Sequence, residues 1–134
     1  MRLRWILVLC CIAALVGCGG APAGATGDQV KAAITGLGAT DWKTEAIGAD
    51  VPIPKSYKDH YAFSIPSVAP SGGQVFICDT KQNCDAIFAY FDALKALAGP
   101  YLYRSPSGTV VAQLNSGLTP DEAVKYEAAI KALP

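Results

Sequence analysis

The chain has 134 residues, enough for one domain, and half of them are hydrophobic, an excess concentrated in the first 17. Arg2 and Arg4 lie in that stretch, so nine of the eleven basic side chains remain beyond it against eleven acidic ones, a net charge of about −2. That balance excludes a basic stripe for nucleic acid. The length left for a core, roughly 100 residues, excludes the two lobes of a solute-binding transport component.

Met1-Arg2-Leu3-Arg4 is a short positive start, and Ile6 to Val16 is an uncharged apolar run. A membrane-spanning helix needs about 20 apolar residues, so this shorter run reads as the core of a signal peptide. The run ends in Leu15-Val16-Gly17-Cys18, which resembles the lipobox of bacterial lipoproteins. The resemblance implies that residues 1–17 are removed, that Cys18 Sγ carries a diacylglyceryl thioether, and that Cys18 becomes the N-terminus. Two or three acyl chains hold a protein stably on a bilayer. The implied location is the cell membrane or outer membrane, lipid-anchored, on the extracytoplasmic side. Gly19 rather than Asp follows Cys18, which weakens retention in the inner membrane of a two-membrane envelope. The alternative is an ordinary signal peptide with a chance cysteine.

Residues 18–25 continue as Cys-Gly-Gly-Ala-Pro-Ala-Gly-Ala. With no side chain suited to a core, they read as a flexible tether with a reach of roughly 15 Å. A single domain is expected over 26–134. Thr26 and Gln29 form a capping box, and Val30, Ala33, Ile34 and Leu37 fall on one helical face before Gly38. Trp42 to Ala49 alternates weakly and is expected to be a strand. Asp50 to Asp59 holds Pro52 and Pro54 and reads as a loop. Tyr61, Phe63 and Ile65 alternate with small residues as in a half-buried strand, and Pro66 to Gly73 is a turn region. Gln74 to Cys78 is an apolar run of the kind buried on both faces of a sheet.

Asp79-Thr80-Lys81-Gln82 suggests a second capping box with Asp79 as N-cap. The helix after it carries a stripe of Cys84, Ile87, Phe91, Leu94 and Ala98, widened by Phe88, Tyr90 and Leu97, and stops at Gly99-Pro100. Tyr101–Arg104 and Thr109–Leu114 flank Ser105-Pro106-Ser107-Gly108, which suits a type I turn in a hairpin. Thr119-Pro120-Asp121-Glu122 is a helix start with Pro at the first position, and Leu118 is placed to pack on Ala123. Tyr126, Ile130 and Leu133 continue its apolar face. The expected fold is α+β: a two-layer domain with a mixed, mainly antiparallel sheet of four to five strands and about three helices packed mostly on one face. The order of elements from Gln74 onward, with its hairpin over Val110–Asn115, is also similar to small extracytoplasmic lipoproteins, a resemblance that bears on fold and implies no activity.

Five cysteines divide by fate. Cys10 and Cys11 leave with the leader and Cys18 takes the lipid, so Cys78 and Cys84 remain as a pair in an oxidising compartment, where a disulfide is favoured. The rival reading is a thiol-redox pair, against which stands a spacing wider than redox motifs use. Two thiols and one histidine do not make a zinc site. His60 is that histidine and reads first as a partly exposed loop residue, since a catalytic use of it needs Ser56 or Ser64 in hydrogen-bond reach. No Gly-x-Ser-x-Gly elbow and no phosphate loop occurs. Asp28, Asp79, Asp121 and Glu122 fit helix starts better than acid chemistry. The loop from Pro52 to Tyr61 has a recognition-like composition, with Lys55, Tyr57, His60 and Tyr61 as its candidate binding side chains. Metal ligands and cofactors are not expected. The function this supports is a non-catalytic binding or protein-interaction module of the cell envelope, joined to the membrane through Cys18 and to an unknown envelope protein or ligand. The alternatives are a small enzyme with a site around His60, or a redox protein using Cys78 and Cys84.

Overall fold

The computed structural model describes residues 23–134. The leader, its expected cleavage point and Cys18 lie outside them. Helix α1 (Gly27–Thr35) starts at the Thr26 capping box, in which Gln29 N–H and the Thr26 hydroxyl, and Thr26 N–H and the Gln29 side chain, pair reciprocally. Strands β1 (Thr40–Thr44), β2 (Asp59–Ser64) and β3 (Gly72–Ile77) follow. Helix α2 (Lys81–Ala93) and the single turn α3 (Lys95–Ala98) lead to strands β4 (Leu102–Arg104) and β5 (Val110–Leu114), and helix α4 (Pro120–Lys131) closes the fold.

The five strands form one sheet in the order β1-β2-β3-β5-β4. The domain is α+β as expected, and each of its neighbouring pairs is antiparallel, so the sheet is not mixed. β3 and β4, on either side of α2 in the chain, do run parallel, but β5 lies between them and hydrogen-bonds to both. The tight turn Ser105–Gly108 makes this possible. Gly108 N–H donates to the Ser105 carbonyl and Gly108 takes φ 76°, a conformation that favours glycine.

Strand alternation sends two sets of side chains to opposite faces. Phe63, Val75, Ile77, Val110, Ala112 and Leu114 pack under α1 (Val30, Ile34) and α4 (Tyr126, Ile130). Phe76, Val111 and Leu102 pack under α2 (Cys84, Ile87, Phe91). Two of the three long helices therefore share one face, and the third covers the other, adding a layer to the expected two. Gln74–Cys78 is the central strand, and its Phe76 and Val75 are fully buried on opposite faces. Burial of a side chain such as Ile87 contributes about 1.5–3 kcal/mol.

Three local expectations change. Thr80, not Asp79, caps α2 by accepting from Asn83 N–H. The long helix breaks at Leu94, so the stripe ends near Phe91 and Leu97 points outward, 85% exposed. The strand expected over Trp42–Ala49 begins earlier and stops at Thr44, after a register shift between Thr40 and Lys43 and a positive φ at Asp41. Bulged geometry and charged side chains suit an edge strand that must not pair further. The folded unit also begins sooner than the tether reading has it, because Ala25 is 4% exposed and belongs to the core.

Candidate functional site

The four candidate side chains of the Pro52–Tyr61 loop do not form one surface. Lys55 Nζ donates to the Ala49 carbonyl at 3.0 Å, and the Tyr57 hydroxyl accepts from Ile47 N–H at 3.1 Å. Both therefore fold the preceding loop onto itself. His60 and Tyr61 are neighbours in β2 and so point to opposite faces of the sheet. Tyr61 lies under α1, with Lys31 Nζ 3.8 Å from its ring centroid and Trp42 edge-on at 6.4 Å. Burial pushes the Tyr61 hydroxyl pKa up, and the carboxylates of Asp59 and Asp28 push it further the same way.

His60 is 4% exposed and stacks on Phe76, its cross-strand partner, with ring centroids 4.3 Å apart and planes within 6°. Its Nδ1 lies 3.0 Å from the Glu45 carbonyl oxygen and its Nε2 3.1 Å from the Gln74 side-chain oxygen. Gln74 Nε2 donates onward to Gln113 Oε1, and Gln113 Nε2 donates to the Ala98 and Leu114 carbonyls. Four segments of chain are thus tied by one polar line across β2, β3 and β5 to α3. The serines that would turn His60 into a base lie elsewhere: the Ser56 hydroxyl donates to the Asn83 carbonyl and the Ser64 hydroxyl to the Pro70 carbonyl. With the ring buried and an oxygen facing each of its nitrogens, His60 orders the sheet face and presents no nitrogen to a substrate.

The line of amides also marks where α2 stops covering its face. Beyond Phe76 and Val111 the sheet floor consists of Ala62, Gly72, Gly73, Gln74 and Gln113. A cavity of about 240 Å³ lies over it, bounded by Ala98 and Asn115. A second of about 260 Å³ adjoins it toward β1, lined by Asp41, Lys43, Glu45 and Ser64 among others. Together they form a polar furrow across the sheet. Gly72 lets β3 lie close against β2, since a Cβ there would lie 2.0 Å from the Phe63 carbonyl oxygen. The Gln74 and Gln113 amides and the Ser64 hydroxyl are spent on bonds within the fold, so the charged side chains of Asp41, Lys43 and Glu45 are the groups left to meet a ligand. Gln74 and Gln113 had no distinguishing signal in the sequence beyond being polar positions in apolar strands. Their meeting depends on the register that sets them directly opposite each other.

Cys78 and Cys84 form a disulfide that joins the end of β3 to the first turns of α2, and both residues are buried. An attacking thiolate has to reach a sulfur, so this location suits a structural bridge. Among the described residues no group of three or more His, Cys, Asp and Glu side chains comes together as a metal site, and no helix is long and apolar enough to cross a membrane. Comparison with protein-family models, curated proteins and solved structures finds no match.

Proposed function

We propose that this chain is a bacterial lipoprotein, held by acyl chains on Cys18 at the extracytoplasmic face of the cell membrane or outer membrane, and that its folded part is a non-catalytic binding or protein-interaction module. The observation that carries the reading is the succession of basic start, short apolar run and Leu15-Val16-Gly17-Cys18. The Cys78–Cys84 disulfide supports it, because such bridges persist outside the reducing cytosol. The furrow over Gln74 and Gln113 is the surface assigned to a ligand or partner, being shallow, polar and the part of its sheet face that α2 leaves uncovered. The engagement of His60 by Glu45 and Gln74 favours binding over catalysis.

Metabolic labelling with a palmitate analogue tests the anchor. The native chain is expected to take up label, and Cys18→Ala to lose it. Label retained in Cys18→Ala would refute lipidation at this residue.

A further inference from the structure

We infer that the end of the domain holding Gly24, Lys58, Lys81, Ser107 and Pro134 faces the phospholipid headgroups of the anchoring membrane, and that the opposite end, with Leu97, faces away. The inference rests on the lipidation of Cys18 proposed above and adds an orientation to it.

The pivot is fixed by packing. A Cβ at Gly24 would lie 2.3 Å from Thr109 Oγ1, and Ala25 is already in the core. The chain is therefore seated from Gly24 onward, with only five residues between Cys18 and that seat. The surroundings of Gly24 all belong to one end of the sheet. β2 begins there, β3 finishes there and β5 begins there, through the pairs Asp59 with Ile77 and Ile77 with Val110. A hollow of about 380 Å³ beside Gly24 is lined by Asp79, Thr80, Lys81, Ser107 and Thr109. Pro134 lies there too, as the Ser107 hydroxyl donates to its carbonyl at 2.7 Å. The other end holds the pair Ser64 with Gly72, the Asn115 N–H bond to the Gly72 carbonyl, and the α3 turn.

Length then decides the orientation. The six residue steps from Cys18 to Gly24 span at most about 20 Å, whereas a domain of this size is about 34 Å across. The far end cannot be turned onto the bilayer on so short a lead. The near end is suited to lie beside headgroups without adhering to them. Lys58 pairs with Asp79, Lys81 with Asp85 and Lys131 with Glu127, so its cations are matched by carboxylates and add little attraction to anionic lipid. The covalent anchor alone holds it there.

The test is energy transfer from the full lipidated protein, reconstituted in phosphatidylcholine vesicles, to a headgroup-bound acceptor dye. A donor is placed on Lys58→Cys or Leu97→Cys, one at a time, both sites being exposed. The acylated Cys18 and the bridged pair leave the introduced thiol as the one labelled. Transfer from position 58 is expected to exceed that from 97 at least twofold, and twenty Gly/Ser residues inserted between Gly20 and Ala21 are expected to narrow the gap. Mass measurement of the purified protein separates the two ideas. Cys18 without a diacylglyceryl adduct overturns the anchor and the orientation together. A lipidated protein whose position 97 transfers as well as 58 overturns the orientation alone.

Discussion

Glu122 shows how one carboxylate can be tied by several donors at the surface. It accepts from Thr119 N–H at 3.1 Å and from the Thr119 hydroxyl at 2.8 Å. Hydrogen bonds from Ser67 and Thr119 hold its carboxyl below the usual glutamate range. A depressed folded-state value means stability that is present above the unfolded-state value of about 4.3 and is lost as pH falls through the folded one. Glu122→Gln is therefore expected to be less stable than the native chain at pH 7, with the difference closing toward pH 3. Urea midpoints at the two pH values check this, and a difference independent of pH would show that the charge is not engaged. Thr119 and Glu122 were legible in the sequence because a capping box is local, complete within four residues. His60 was not. Its burial comes from Phe76 and Gln74, fourteen or more residues away, and from a register in which Gln74 meets Gln113. Those contacts exist only once three strands have paired, so no local spacing announces them.

The helices are attached to the sheet in two ways. α1 and α4 rely on apolar faces, Val30 with Ile34 and Tyr126 with Ile130. α2 adds a covalent bond at its start and a polar clamp at its flank, where Arg104 Nη1 of β4 donates to Asp85 at 2.6 Å and the guanidinium lies 4.3 Å over Phe88. Hydrogen bonds from Lys81 and Arg104 hold the Asp85 carboxyl below its usual range. The loop closed by the disulfide is short, so its entropic contribution is about 2 kcal/mol. Cys78→Ala with Cys84→Ala is expected to lower unfolding stability by about that amount while the far-UV circular dichroism at low denaturant stays native. Loss of folded structure in the double variant would instead give the bridge a larger part in specifying α2. Periodicity located all three long helices and the strands β2, β3 and β5. It overran at the end of α2, where Leu94, Leu97 and Ala98 keep the apolar spacing though the chain turns away at Leu94. That spacing continues because α3 still packs Ala98 against the core, with Leu97 left outside. β1 was misplaced for a related reason: its residues are mostly exposed, so its alternation carries little burial signal.

At the scale of the molecule, the sheet divides the work between its faces. One is closed under α1 and α4, and the other is half closed by α2 and half open as the furrow. The α+β class could be read from the order of helices and strands, but the layer count could not, because nothing local tells which face a crossover helix will take. The start of the folded unit was hidden for a compositional reason. Gly24 and Ala25 match the Gly/Ala/Pro composition of residues 19–23, yet their small size is what lets the chain lie against Thr109. Ala25→Asp is expected to cost about 2–4 kcal/mol by putting a charge into the core. Ala23→Asp, at an exposed position, is expected to change stability by no more than about 0.5 kcal/mol. Urea unfolding of the two variants locates the boundary, and equal effects would move it past Ala25. The seat at Gly24 also sets how the domain would bear a mechanical load. A pull on the chain ahead of Ala25 reaches α1 first, before any strand. α1 is held by the side-chain packing of Val30 and Ile34, so it peels from its N-terminus before the ladder hydrogen bonds are strained. β1, the irregular edge strand, is next in line, and the β2-β3-β5-β4 core with its disulfide is the last to feel the force.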